Sequence, residues 1–248
     1  MRRKYNANVY FTIEFKVLLR KRLYLIMSIC LPLFFYLLFT SILDLPKSER
    51  IIFYKEYMYS MVVFSCMNFC LISFPIDMIE ERTNGWFKHL MTTPLNITSY
   101  YLVKVSKTTF QFLLAIVLIF VVAHFYNNVN MEMIKWIKSA VILWIGASLL
   151  LTLGLIIAQF NDTQKASSIA NLIGIGLAIL GGLWFPTNTF PNWLQTISKL
   201  TPTYHLKHLA YRLSKGDSLD FTSFGIIFFY SVIFLIIAIL INKQKAVD

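Results

Sequence analysis

The chain has 248 residues and a formal net charge of +11; 57% of its residues are hydrophobic and only 14% are charged. Soluble domains carry about 25% charged residues, so this composition excludes an ordinary water-soluble globule. Lys and Arg lie between apolar runs rather than on one basic helix, which argues against nucleic acid as a partner and for topology and contact with anionic lipid.

In chain order, Asn6–Arg22 comes first. Val9, Tyr10, Ile13, Val17 and Leu18 recur at helical spacing, with Lys16, Arg20 and Lys21 elsewhere on the surface. This pattern predicts an amphipathic helix in the inner headgroup layer, acting as a membrane anchor. Six stretches without Asp, Glu, Lys or Arg follow: 23–43, 57–76, 108–126, 139–160, 166–185 and 221–242. Each is close to the ~20 residues that cross the hydrocarbon as a helix. They are continuous rather than alternating, so a barrel is disfavoured. The first is too long for a signal-peptide core and lacks a small-residue cleavage site. The expected architecture is therefore a single all-α integral membrane domain over 1–248 with six transmembrane helices. Seven Lys and Arg precede the first span, and the side that holds them collects 14 against 9 on the other. That bias predicts both termini in the cytoplasm of a plasma-membrane protein. Trp136, Trp184 and Trp193 then fall near the outer interface, and Cys30, Cys66 and Cys70 lie inside spans as small apolar filler.

Two connections carry more than topology. Between the second and third spans, Glu80, Glu81 and Arg82 leave the membrane together, and Gly85 permits a sharp change of direction. Trp86, Phe87, Leu90 and Met91 then recur at helical spacing until Thr93-Pro94 ends the helix. The expected product is a short helix whose bulky apolar groups no local core can bury. Before the last span, 186–220 carries Pro186, Pro191, Trp193 and Pro202, then an amphipathic stretch. In it Leu206, Leu209, Ala210 and Leu213 share one face, while Lys207, His208, Arg212 and Lys215 are expected to point away. Gly174, Gly176, Gly181 and Gly182 just before it allow close helix approach, or unwinding into a re-entrant hairpin.

Around Glu81–Leu95 the residues resemble a known family. An E-R-x-x-G pattern, an apolar pair, a leucine and [ST]-P-[LV] is typical of the permease subunits of type-2 ABC (ABC-2) exporters of the bacterial drug- and peptide-export kind. Here it reads Glu81-Arg82-Thr83-Asn84-Gly85-Trp86-Phe87, then Leu90 and Thr93-Pro94-Leu95. Pro191-Asn192-Trp193-Leu194-Gln195 and Thr201-Pro202-Thr203-Tyr204 are similar to the family's extracellular segment. Two positions depart from the pattern: Lys88 stands where an acid is common, and Trp86 where Thr is.

The resemblance implies roles for particular residues. Gly85, Trp86, Phe87, Lys88, Leu90 and Met91 would form the coupling helix, seated in a groove on a separate ATPase. Glu80, Glu81 and Arg82 would stand at the cytoplasmic gate. Pro191, Trp193, Pro202 and Tyr204 would belong to a re-entrant helical pair covering the exit. Two permease chains, the same or related, and two ABC ATPase subunits would form the unit, with ATP and Mg bound by the ATPase.

The chain itself has no G-x-x-x-x-G-K-[ST], G-x-S-x-G or H-E-x-x-H, so it carries no phosphate cradle, nucleophile elbow or zinc pair of its own, and neither catalytic nor cofactor residues are expected. His205 and His208 lack a third ligand nearby and are expected at the surface. His124 is expected at the interface. Asn68, Gln111, Gln159 and Asn171 are the notable polar residues within spans, expected to hydrogen-bond between helices. No acid or base falls inside a span, which disfavours ion coupling and suits an amphipathic or lipophilic cargo: a drug, antimicrobial, peptide toxin or lipid-like molecule. The alternative is an assembly or anchoring protein without transport.

Overall fold

The computed structural model describes residues 2–20, 22–43 and 46–245. Lys21 of the predicted basic cluster lies outside them, as do the side chains of Arg2, Arg3, Lys4 and Arg22. Among the described residues there are helices and no strands. They run α1 (Arg2–Arg20), α2 (Arg22–Ile42), α3 (Lys47–Asn68), α4 (Phe74–Thr83), α5 (Trp86–Thr92), α6 (Ile97–Asn127), α7 (Met133–Ile157), α8 (Thr163–Leu180), α9 (Asn192–Ser198), α10 (Pro202–Lys215) and α11 (Phe221–Lys245).

A π-helical turn, Phe69–Ser73, joins α3 to α4 without a break. Pro75 explains it. Proline has no N–H to give and its ring crowds the carbonyl four residues back, so the preceding turn widens. The Phe74 N–H accordingly reaches the carbonyl of Phe69. The widened turn sits in the middle of the core, with Phe69, Cys70 and Leu71 buried. Gly154 on α7 touches it directly: a Cβ there would lie 2.2 Å from the Cys70 carbonyl oxygen.

Among the described residues, five helical runs are long and apolar enough to cross a membrane: Leu25–Ile42, Glu49–Thr83, Ile97–Asn127, Met133–Ile157 and Phe221–Gln244. The remaining predicted stretch, 166–185, fifth in chain order, is where the structure differs. Its helix, α8, has 18 residues and opens on Thr163-Gln164-Lys165, with Asp162 accepting from the backbone of Gln164 and Lys165. It stops at Leu180, and the chain then turns through Gly181 and Gly182, the latter at φ +65°. At 1.5 Å per residue α8 is ~27 Å long, slightly less than a ~30 Å hydrocarbon layer.

α10 packs against α7, α11 and α3, with the predicted face Leu206, Leu209, Ala210 and Leu213 buried. Lys207 does not point away as expected. It is buried, and its ammonium donates to the Gly182 carbonyl at 3.0 Å and to Glu56 at 3.3 Å. His205 is also buried rather than on the surface, bonded to Ser223 Oγ and to the Lys199 carbonyl. Burial lowers the basicity of both side chains.

Candidate functional site

Two regions combine polar chemistry with a cavity or a projecting helix. The first lies at the foot of α4, where the chain turns into α5. Gly85 adopts φ +76°, a left-handed conformation that glycine accepts and a Cβ disfavours by ~1–2 kcal/mol. The turn starts α5 at once, and Thr93, in extended geometry ahead of Pro94, ends it before Asn96 caps α6 through the Thr98 N–H. Not all of α5's apolar groups project, contrary to expectation. Leu90 is buried, and the Phe87 ring meets Tyr100 of α6 edge to face at 5.1 Å. These two pin the helix to the body, while Trp86, Lys88 and His89 face outward.

Behind that helix, three acids and two lysines close on one another. Lys104 donates to Glu14 at 2.8 Å, Asp77 at 2.8 Å and Glu81 at 2.6 Å. Lys107 donates to Glu14 at 2.7 Å and also to Asp77. The Tyr100 hydroxyl donates to Glu81 at 2.8 Å. Lys104 and Glu14 are only 1% and 2% exposed, so the ammoniums are withdrawn from water and depend on their carboxylate partners. Burial alone would raise the Glu14 pKa; Lys107 and Lys104 outweigh it and hold the carboxyl below its usual range. The cluster ties α1, α4 and α6 together.

The sequence reading missed this cluster for an identifiable reason. Glu14 sits in the middle of the stripe that α1 buries, which is Tyr10, Glu14 and Leu18 at i, i+4, i+8; Val9 and Ile13 are exposed. Lys104 and Lys107, counted as loop charges, are one helical turn apart, as are Asp77 and Glu81. Two matched pairs at that spacing were the available clue. Of the predicted gate residues, Glu81 belongs to the cluster, Arg82 turns away to donate to the carbonyls of Ala158 and Phe160 beyond α7, and Glu80 lines a cavity of about 30 Å³ with Asp77, Lys107 and Gln111. That volume holds about a water, and the buried Gln111 Oε1 has no protein partner.

The second region is a groove of about 340 Å³ between α2, the α3–π segment and α8. Leu31, Phe35, Phe64 and Ile175 make it apolar, and Asn68 and Asn171 both open onto it. Among the described residues neither asparagine makes a side-chain hydrogen bond to another helix, contrary to expectation; Gln159, just past the end of α7, donates to the carbonyl of Leu155. Trp184 closes one end, its ring held edge-on to Phe64 at 5.6 Å. Pro191 and Pro202 begin α9 and α10, Trp193 is exposed on α9, and the Tyr204 N–H is taken by Thr201.

Several long apolar helices, a short helix at their end and a groove with isolated polar groups mark a multi-pass membrane protein. The chain belongs to the ABC-2 type transporter family, which it matches over residues 7–212. It is also 28% identical over 235 residues to a putative transport permease, YvfS, of Bacillus subtilis (strain 168), covering 94% of this chain and 96% of the relative. Membership makes it a transport subunit rather than an enzyme and implies an ABC ATPase partner in general.

Proposed function

We propose that the chain is the membrane-spanning subunit of an ATP-driven exporter, with α8 and the residues after it supplying a sixth crossing and both termini in the cytoplasm. A second permease chain, the same or related, completes the pathway, and two copies of a separate ATPase bind the ATP and Mg. The cargo is amphipathic or lipophilic: the groove between α2 and α8 offers apolar walls with two amide side chains, which suits a molecule with a long apolar part and few polar groups.

The observation that carries the reading is α5. It is pinned by Phe87 and Leu90, yet leaves Trp86 44% exposed. A large aromatic held rigidly at a helix tip suits an anchor for a protein groove. Burying it there would be worth ~1.5–3 kcal/mol. Trp86→Ala is therefore expected to reduce recovery of the partner ATPase from membrane extracts by ten- to a hundredfold and to reduce export, with insertion normal. Gly85→Pro cannot reach φ +76° and is expected to misaim the helix, so that ATPase is retained in part while export stops. If Trp86→Ala recovers ATPase and exports like the parent, α5 is not the contact and an anchoring role without transport becomes the better reading.

The segment from Phe185 to Leu200 is proposed to dip into the outer leaflet. Phe185, Trp193 and Leu200 are exposed on the isolated chain and would be costly to hold in water. Cysteines placed at these three positions, in a background lacking Cys30, Cys66 and Cys70, are expected to react slowly with an impermeant thiol reagent. A cysteine at the exposed Asp217 should react quickly. Rapid labelling at all three apolar positions would refute the embedding.

A further inference from the structure

Tyr100, near the start of α6, is among the largest fully buried side chains. Its contacts come from three other helices as well as its own. The ring stacks on that of Tyr10 of α1, with centroids 5.9 Å apart and 21° between the planes. The Phe87 ring of α5 meets it edge to face at 5.1 Å. Its hydroxyl donates to Glu81 of α4 at 2.8 Å. The Lys104 ammonium, one turn further along α6, stands 5.7 Å from the ring centroid.

Each part of this side chain therefore has a partner on a different element. Aromatic pairs are directional, so two rings on one ring fix its plane and each other's placement. The hydroxyl adds a third fixed point, on α4. The other attachments of α1 and α5 do not join them to each other. Glu14 bonds to Lys104 and Lys107 of α6, and Phe15 packs on Phe110 of α6 at 5.2 Å. On α5, Leu90 is the other buried anchor. Among the described residues, Tyr100 is the ring that touches both α1 and α5.

We infer that Tyr100 is a positioning residue that fixes the setting of α5 against α1 and the foot of α4, so that the three shift as one body when α5 is pushed. The shift rests on the proposal that α5 meets the ATPase; the linkage in the resting chain does not. Close-packed side chains transmit strain and respond as rigid units, because they cannot deform smoothly. A force applied at Trp86 would thus reach the amphipathic helix α1 through Phe87, Tyr100 and Tyr10, and α4 through the Tyr100 hydroxyl and Glu81.

The first measurement uses the full chain alone in a neutral detergent, in the background lacking Cys30, Cys66 and Cys70. Nitroxide labels on Lys16→Cys of α1 and Thr92→Cys of α5, both exposed positions, report the distance between the helices by pulsed electron resonance. The parent and Tyr100→Phe, which keeps the rings, should give one narrow distance. Tyr100→Leu should raise the share of displaced distances about tenfold. Phe112→Leu, buried elsewhere on α6 against Phe69, should also lower the melting temperature yet leave the distance narrow. A Tyr100→Leu distance as narrow as the parent's, or a Phe112→Leu distance as broad as that of Tyr100→Leu, overturns the proposal. The second measurement uses the complex recovered with its ATPase, given MgATP and vanadate, with a reference label on Gln164→Cys at the exposed start of α8. Distances from this label to α1 and to α5 should both shift, and the α1–α5 distance should hold. If only the distance to α5 shifts, or neither does, the proposal is overturned while the ATPase contact stands. If no ATPase is recovered, the reading of α5 as that contact fails, and the detergent measurement alone decides whether Tyr100 positions the helix.

Discussion

Lys104→Met is expected to destabilise the protein by about 3–5 kcal/mol and to remove most of the folded chain from the membrane. Lys104 alone touches all three carboxylates of the buried cluster. Without it, Lys107 faces Glu14 and Asp77, and Glu81 keeps only the Tyr100 hydroxyl. An ionised carboxylate left buried without a cation carries its full desolvation penalty. The cluster holds three acids against two lysines, so the opposite change is mild: Glu14→Gln leaves two pairs and should cost only ~1–2 kcal/mol. Lys104→Met combined with Glu81→Gln should recover part of the loss, because it removes the acid that is left alone. Thermal unfolding of the detergent-purified variants checks the order. A Lys104→Met protein that melts with the parent would show that the cluster carries no stability.

Gly154→Val is expected to be nearly as damaging, at about 3 kcal/mol or more. The atom a Cβ would strike is the Cys70 carbonyl oxygen of the π-turn, with Phe74 Cδ1 next at 3.0 Å. A side chain can rotate aside, but a backbone carbonyl cannot, so α7 would have to separate from the centre of the core. Gly176 makes the matched control, because nothing lies within 4 Å of a Cβ there. Gly176→Ala should raise helix stability by ~0.5–1 kcal/mol. Melting temperatures that move in the same direction for Gly154→Val and Gly176→Ala would contradict the packing described.

Legibility followed burial by a single kind of neighbour. The long runs were readable because lipid-facing and core-facing residues in a membrane are both apolar, so length alone marks them. The α10 face of Leu206, Leu209, Ala210 and Leu213 was readable because a 3.6-residue period survives even where Lys207 is drawn inward. Glu14, Lys104 and Lys107 were not, since charge in a membrane sequence reads as topology and only the fold shows whether it meets water or another charge. Leu90 reads as a projecting group because nothing in its own stretch shows that α5 folds back on the body. The end of α8 was misplaced because Gly181 and Gly182 sit within an uncharged run, and hydropathy does not register a change of φ.

The π-turn at Phe69–Ser73 amounts to one residue more than an α-helix needs. At 3.6 residues per turn that residue rotates everything below it by roughly 100° about the helix axis. Asp77 and Glu81 meet Lys104 only in this phase. Removing one residue from Phe69–Ser73 would swing both acids away from α6 while changing no charge and no apolar face above. The half of the rod before the turn would keep its packing and the half after it would lose its partner. The one surplus residue thus sets the angular alignment between the two halves of this helix.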